Sequence, residues 1–348
     1  MRAIGWVRIG MMVITGLVVG NGAAADQRTL VSEEFSIPAA DPGITLYIRN
    51  KHAAGLTQFS PERTLLFVHG ATYPAETTFD LSFDSLSWMD FIAGRGFDVY
   101  LVDIRGYGRS TRPPEMDEPA DKNPPIVGTE TAVRDVGTTV DFVLKRRGLT
   151  RLALMGWSWG TVIMATYTAQ NAPKVERVVL YAPGWIRQTP PLVQASDVLG
   201  AYRTVTREDA LKRWLTAVPE NKKLDLIPAG WFERWIDATL ATDPKGSKAS
   251  PPVLRAPNGV VQDGRNYWSA GKPMYDPSQI TVPVLLIRGD WDQDTPAYMA
   301  ETLFPLLVNA PYKRSVTIGE GTHSLMMEKN RLQLFGEVQL FLEEPGLL

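Results

Sequence analysis

A serine hydroxyl becomes a useful nucleophile only when a base takes its proton and the backbone presents its oxygen to a substrate. One serine in the chain has the surroundings for this, in Gly156-Trp157-Ser158-Trp159-Gly160. The apolar run Leu152-Ala153-Leu154-Met155 leads straight into it, and a helix-compatible segment, 161–172, follows. A strand that turns this sharply into a helix leaves almost no room beside its central residue, hence a glycine on each side. The turn holds Ser158 in strained geometry with its Oγ above the sheet edge. The N–H of Trp159 points at the same spot and can stabilise an oxyanion. Alone the pattern arises by chance; between a strand and a helix it reads as an activated nucleophile.

The base must be one of three histidines, His52, His69 or His323, and the chain has no cysteine. A disulfide, a thiolate metal site and a cysteine nucleophile are thereby excluded, and three histidines make a histidine-rich metal site a poor fit. His52 sits on a polar stretch just past a strand-like segment and reads as a surface residue. His69 ends an apolar strand and reads as the organiser of its own loop. His323 follows the last strand and is placed to reach Ser158. Candidate acids cluster in Asp290-Trp291-Asp292-Gln293-Asp294, at the end of another strand.

The elements that must position these groups follow from hydrophobic patterning. Segments 34–38 and 44–49 read as strands, the second with alternating polarity that suits an antiparallel strand with one wet face. Continuous apolar runs at 64–72, 98–104, 152–157, 175–183 and 281–288 read as parallel strands buried on both faces, and 314–318 as a last strand. Helical patterns at about 85–94, 130–147, 161–172, 296–308 and 328–343 alternate with them, which predicts a parallel sheet with right-handed crossovers. In such a sheet the groups above share one edge. Asp103 and Arg105, at the end of the 98–104 strand, read as a structural ion pair or as backbone ligands. Residues 111–129, with five prolines, form a stiff loop leaving the same edge and could wall the site. From 184 to 276 the pattern changes to helical pieces at about 207–217 and 229–240, and five of the ten tryptophans lie there.

With Ser158, Asp292 and His323 in that order, the chain resembles an α/β-hydrolase over about residues 34–343. The resemblance implies a mostly parallel eight-stranded sheet flanked by helices, with a core at 26–183 and 277–348 and a helical cap insert at 184–276. It implies a second oxyanion donor, the N–H of Ala71, in the turn after His69-Gly70. Asp103 to Ser110 matches a structural motif of that family. Gly289, Asp292 and Pro296 match the family's acid turn, favouring Asp292 over its neighbours. Thr72, Tyr73, Trp157, Trp185, Trp231 and Trp235 are candidate pocket residues.

The expected activity is that of a serine hydrolase cleaving small or medium carboxylic esters, with no metal or organic cofactor required. Serine in place of a carboxylate nucleophile argues against dehalogenase or epoxide hydrolase chemistry. Alternatives within the fold are an aminopeptidase of the proline iminopeptidase kind, for which Glu220, Asp225, Glu233 and Asp237 would have to hold an ammonium group, and a lactone or carbon–carbon bond hydrolase. A ligand-binding protein without turnover is the alternative from another class. The net charge of −2 over 348 residues offers no basic field for nucleic acid. Arg2 and Arg8, an apolar stretch from 9 to 20 and Ala23-Ala24-Ala25 read as a signal peptide over 1–25, predicting a periplasmic or secreted protein without a stable membrane anchor; an uncleaved anchor is the alternative.

Overall fold

The computed structural model describes residues 29–191 and 198–345. The expected signal peptide lies outside them. Eight strands form the main sheet: β1 (Leu30–Pro38), β2 (Thr45–Ala53), β3 (Thr64–Val68), β4 (Asp98–Val102), β5 (Leu152–Trp157), β6 (Val175–Tyr181), and, after an insert with a pair of its own, β9 (Val284–Gly289) and β10 (Lys313–Ile318). The order across the sheet is β1-β2-β4-β3-β5-β6-β9-β10, and only β2 runs against the rest. This is the expected mostly parallel α/β architecture. Because β3, β5, β9 and β10 run the same way, the loops that leave their C-terminal ends open on one edge.

The central strands are apolar throughout because helices cover both faces. Successive side chains point to opposite faces, so Leu66, Val68, Leu154 and Leu180 pack with the helices Thr129–Arg147 and Trp159–Asn171. Leu65, Phe67, Ala153 and Met155 pack with Trp88–Ala93 and Arg331–Glu343 on the other side.

The insert between β6 and β9 is not purely helical. Helices Arg207–Trp214 and Trp231–Ala241 are present, but so is an antiparallel pair, β7 (Tyr202–Val205) and β8 (Leu254–Pro257). The proline-rich loop carries that pair: Ala201 N–H donates to Ala120 O at 2.8 Å and Gly259 N–H to Ile126 O at 2.7 Å. Residues 111–129 therefore buttress the insert, and none of them lines the cavities at Ser158. Two further expectations are corrected. Residues 75–79, outside the helices expected from the patterning, form a short helix. His52 lies within β2 and is buried, because β2 continues to Ala53 in register with β1.

Candidate active site

Ser158 sits between β5 and the helix Trp159–Asn171 with φ 57° and ψ −121°, a conformation that costs a non-glycine residue roughly 1–3 kcal/mol. Its surroundings enforce it. Ser158 N–H donates to Tyr181 O at 2.9 Å, and Ser158 O accepts from Thr161 N–H and Oγ1 at 2.9 and 2.6 Å. A Cβ on Gly156 would come within 2.1 Å of Gly160 O, and one on Gly160 within 2.5 Å of Val68 O. Both glycines are needed for backbone to pass backbone.

The turn after β10 brings His323 to the same edge. Its Nδ1 lies 2.9 Å from Asp292 Oδ2, and Asp292 is fully buried. Thr295 fixes the carboxylate, donating its N–H to Oδ1 at 2.9 Å and its hydroxyl to Oδ2 at 2.8 Å. An acceptor at Nδ1 puts the neutral ring's proton there and leaves Nε2 as the basic nitrogen. The main chain of His323 is held too, its carbonyl accepting from Trp157 Nε1 at 2.9 Å and Tyr181 OH at 3.0 Å. Burial pulls the His323 pKa down, but the carboxylates of Asp292 and Asp294 outweigh it and hold the ring above its ordinary value.

The three neighbouring aspartates have separate partners. Asp290 is exposed and accepts from Gly321 N–H at 3.2 Å. Asp294 takes a bidentate bond from Arg213 of the insert, at 2.8 to 3.1 Å. Only Asp292 meets the imidazole ring by hydrogen bond. Glu328, also buried, accepts from Trp214 Nε1 at 2.8 Å and Thr322 N–H at 3.1 Å, as well as from Thr322 Oγ1. Burial, opposed by these bonds, pushes its carboxyl up to about 7.

His69 stays apart from this chemistry. Its Nδ1 meets Gly70 O at 2.7 Å and its Nε2 accepts from Ile104 N–H at 3.1 Å. Burial lowers its pKa to about 4, so the ring is a neutral brace between two loops. Asp103 and Arg105 do not pair with each other. Asp103 accepts from Ala75 and Arg109 N–H at 2.8 and 3.0 Å, and Arg105 pairs with Asp135 and Asp41. The backbone-ligand reading suits Asp103; Arg105 found its carboxylates in the next helix and the β1–β2 turn.

Two spaces meet at Ser158. A narrow pocket of about 20 Å³ is bounded by Thr72, Tyr73, Trp157, Trp214, Trp235 and His323. A cavity of about 380 Å³ is bounded by Trp159, Trp185, Val260, Trp268 and Met299, together with arginines of the insert. Ala71, Ser158, Arg213 and Asp294 belong to both walls. Trp159 opens its helix, so its N–H has no partner inside that helix, and Ala71 stands beside Ser158 in both spaces. Of the six expected pocket residues only Trp231 is displaced: its ring stacks on Phe83 at 4.6 Å under Arg331. It faces core aromatics because the helix Trp231–Ala241 turns Trp235 toward the site instead. Sequence reading missed Arg187, Arg203 and Arg213. Arginines scattered through the insert read as solvated, and no local pattern marked them as lining one cavity.

The alpha/beta hydrolase fold family model matches residues 63–330. The chain belongs to that family. Among curated proteins it is 24% identical over 242 residues to Protein ABHD8 of Bos taurus, a match spanning 69% of this chain and 48% of that protein. The chain therefore spans about half the length of that relative. It is also 30% identical over 122 residues to N-formylmaleamate deformylase of Pseudomonas putida, covering 34% of this chain and 37% of the deformylase. Among solved structures it resembles 2-hydroxy-6-oxo-6-phenylhexa-2,4-dienoate hydrolase from Rhodococcus sp. strain RHA1, with a TM-score of 0.58 at 14% identity over 90% of this chain and 99% of that one. These structural likenesses carry the fold.

Proposed function

We propose that the chain is an exported serine hydrolase that cleaves small or medium carboxylic esters through an acyl-enzyme. One observation carries this reading: a positive-φ serine, a buried His323–Asp292 pair and the Ala71 and Trp159 main chain converge on one sheet edge. Ser158 Oγ attacks the ester carbonyl carbon while His323 Nε2 takes its proton. Asp292 keeps the imidazole in the Nδ1–H tautomer and stabilises the imidazolium. The N–H groups of Trp159 and Ala71 meet the developing oxyanion, each worth about 3 kcal/mol in comparable sites. Collapse of the tetrahedral intermediate expels the alcohol with the proton from His323, and water then releases the acid by the same route.

Export rests on the basic, apolar and small-residue pattern of residues 1–25 and predicts a processed N-terminus near Ala25. An aminopeptidase reading lacks support: Glu220, Asp225, Glu233 and Asp237 are all exposed, and none lines either space at Ser158. The same machinery cleaves amides, and the local likeness to a deformylase makes formamides the natural second substrates to assay. The test is hydrolysis of a graded 4-nitrophenyl ester series by wild type and Ser158→Ala. Turnover lost about a million-fold in a variant with unchanged melting temperature supports the reading; residual turnover within tenfold of wild type overturns it.

A further inference from the structure

The larger cavity is lined by charges that do not cancel. Four arginines, Arg187, Arg203, Arg213 and Arg265, face it with one carboxylate, Asp294, which Arg213 already engages. Among the described residues neither Arg187 nor Arg203 has a carboxylate within ion-pair distance. Arg203 spends its donors on neutral oxygens: Ala71 O at 2.6 Å, Thr72 Oγ1 at 3.0 Å and Pro257 O at 2.6 Å. Its Nε is sealed from solvent and has no partner. Arg187 is less committed. One terminal nitrogen donates to Asp294 O, and the other has only long contacts, 3.4 Å to Pro190 O and 3.5 Å to Thr189 Oγ1.

Several other sequestered guanidinium groups of this fold are neutralised by carboxylates. Arg49 pairs with Glu34, Glu76 and Asp80, Arg105 with Asp135, Arg147 with Asp98 and Arg255 with Asp243. Arg288 and Arg331 have no such partner, but both lie away from the cavity lining: Arg288 is held by Thr317 Oγ1 and Asp290 O, and Arg331 is wedged between carbonyls and the Trp231 ring. Taking a guanidinium out of water without a counter-charge costs several kcal/mol. Two such groups on one wall, beside a third, make a field that an anion entering the cavity would relieve. Burial works against the charge of Arg187, partly offset by the more distant carboxylates of Asp294 and Asp292, and against that of Arg203, where neighbouring Arg213 adds to it, a balance that an arriving carboxylate would improve.

We infer that the part of the substrate occupying the larger cavity carries a carboxylate, gripped directly by Arg187, with Arg203 contributing unneutralised positive field. This deepens the proposed hydrolase reading and rests on it: the ester would be a half-ester of a dicarboxylic acid or an ester otherwise bearing an acid group. The walls suit the rest of such a molecule, since Trp185, Trp268, Val260 and Met299 offer apolar contact between the charged end and Ser158.

The experiment compares 4-nitrophenyl hydrogen adipate with its neutral methyl 4-nitrophenyl diester. Wild type should prefer the anionic ester in kcat/KM, and Arg187→Gln should cut that preference about tenfold to a hundredfold, as expected for a charged hydrogen bond. Arg187→Lys should recover part of it. Added salt should weaken the preference as well. A wild type that prefers the neutral diester, or an Arg187→Gln variant with an unchanged ratio, overturns the inference while leaving Ser158-dependent turnover intact. If neither ester is turned over, the hydrolase reading itself fails. Calorimetry on Ser158→Ala then decides the cavity separately. Monomethyl adipate binding at least tenfold tighter than dimethyl adipate sustains the carboxylate site, and equal binding removes it.

Discussion

The edge of the main sheet and the insert above it treat polar groups in opposite ways. At the sheet edge the polar groups around Ser158 are held largely by core neighbours: Asp292 by Thr295, the His323 carbonyl by Trp157 and Tyr181, His69 by Gly70 and Ile104. In the insert, Arg187 and Arg203 meet only carbonyl, amide and hydroxyl oxygens. The difference separates two jobs. A preorganised edge supplies the same bond-breaking apparatus to whatever arrives, while incompletely satisfied charge in the insert selects what arrives. Substitutions at the edge should therefore slow all substrates alike, and substitutions in the insert should change their ranking.

The sharpest break in that contrast comes from the acid turn. Asp292→Asn should cost about ten-thousand-fold in kcat for every ester, because an amide in its place favours the wrong imidazole tautomer. Asp290→Asn, at an exposed loop bond, should stay within a few-fold. Asp294→Asn should fall between and should alter ester preference, since it unpairs Arg213; a preference unchanged there would erase the boundary between the two regions. Next in size is Gly160→Ala. Its new Cβ meets Val68 O at 2.5 Å, so a loss of roughly 3 kcal/mol is expected by denaturant titration, at the upper end of overpacking costs.

The smallest effect should be a pH dependence. Glu328 titrates near 7 in the folded protein, well above an ordinary carboxyl, so the folded state binds a proton that the unfolded state has released. Stability should then fall as pH rises from about 5 to 8. His323, held above its ordinary value, acts in the same direction, because a raised imidazole loses its contribution as pH climbs through its folded value. Glu328→Gln should flatten the slope of melting temperature against pH without abolishing it. A slope unchanged in that variant would show that this carboxyl does not titrate there.

Much of the edge was legible because it is written locally. Runs such as Leu152–Trp157 and Val284–Gly289 declare buried parallel strands, and Ser158 and the Asp290–Asp294 cluster each follow such a strand by a few residues, while His323 follows the half-exposed edge strand β10. The insert was not, since its structure is non-local. β7 and β8 have four residues each and pair across some fifty positions of sequence, so neither shows enough period to stand out. The arginine wall was hidden for the same reason: Arg187, Arg203 and Arg213 come from three separate segments and acquire a common meaning only when folded. His52 illustrates a smaller failure, in which pairing with β1 extends a strand past the point where its polarity suggests an end.

Ala71 is clamped through its own carbonyl, in the peptide that follows its N–H, which accepts from Tyr107 OH at 2.8 Å and from Arg203 Nη2 at 2.6 Å. One of those two donors belongs to the core and the other to the insert. The insert is thus no interchangeable module. Grafting another family member's insert onto this core, a common route to new selectivity, would remove one of the two hands steadying Ala71, the proposed oxyanion donor. A chimera should lose speed on its best substrate unless a donor equivalent to Arg203 is carried across with it.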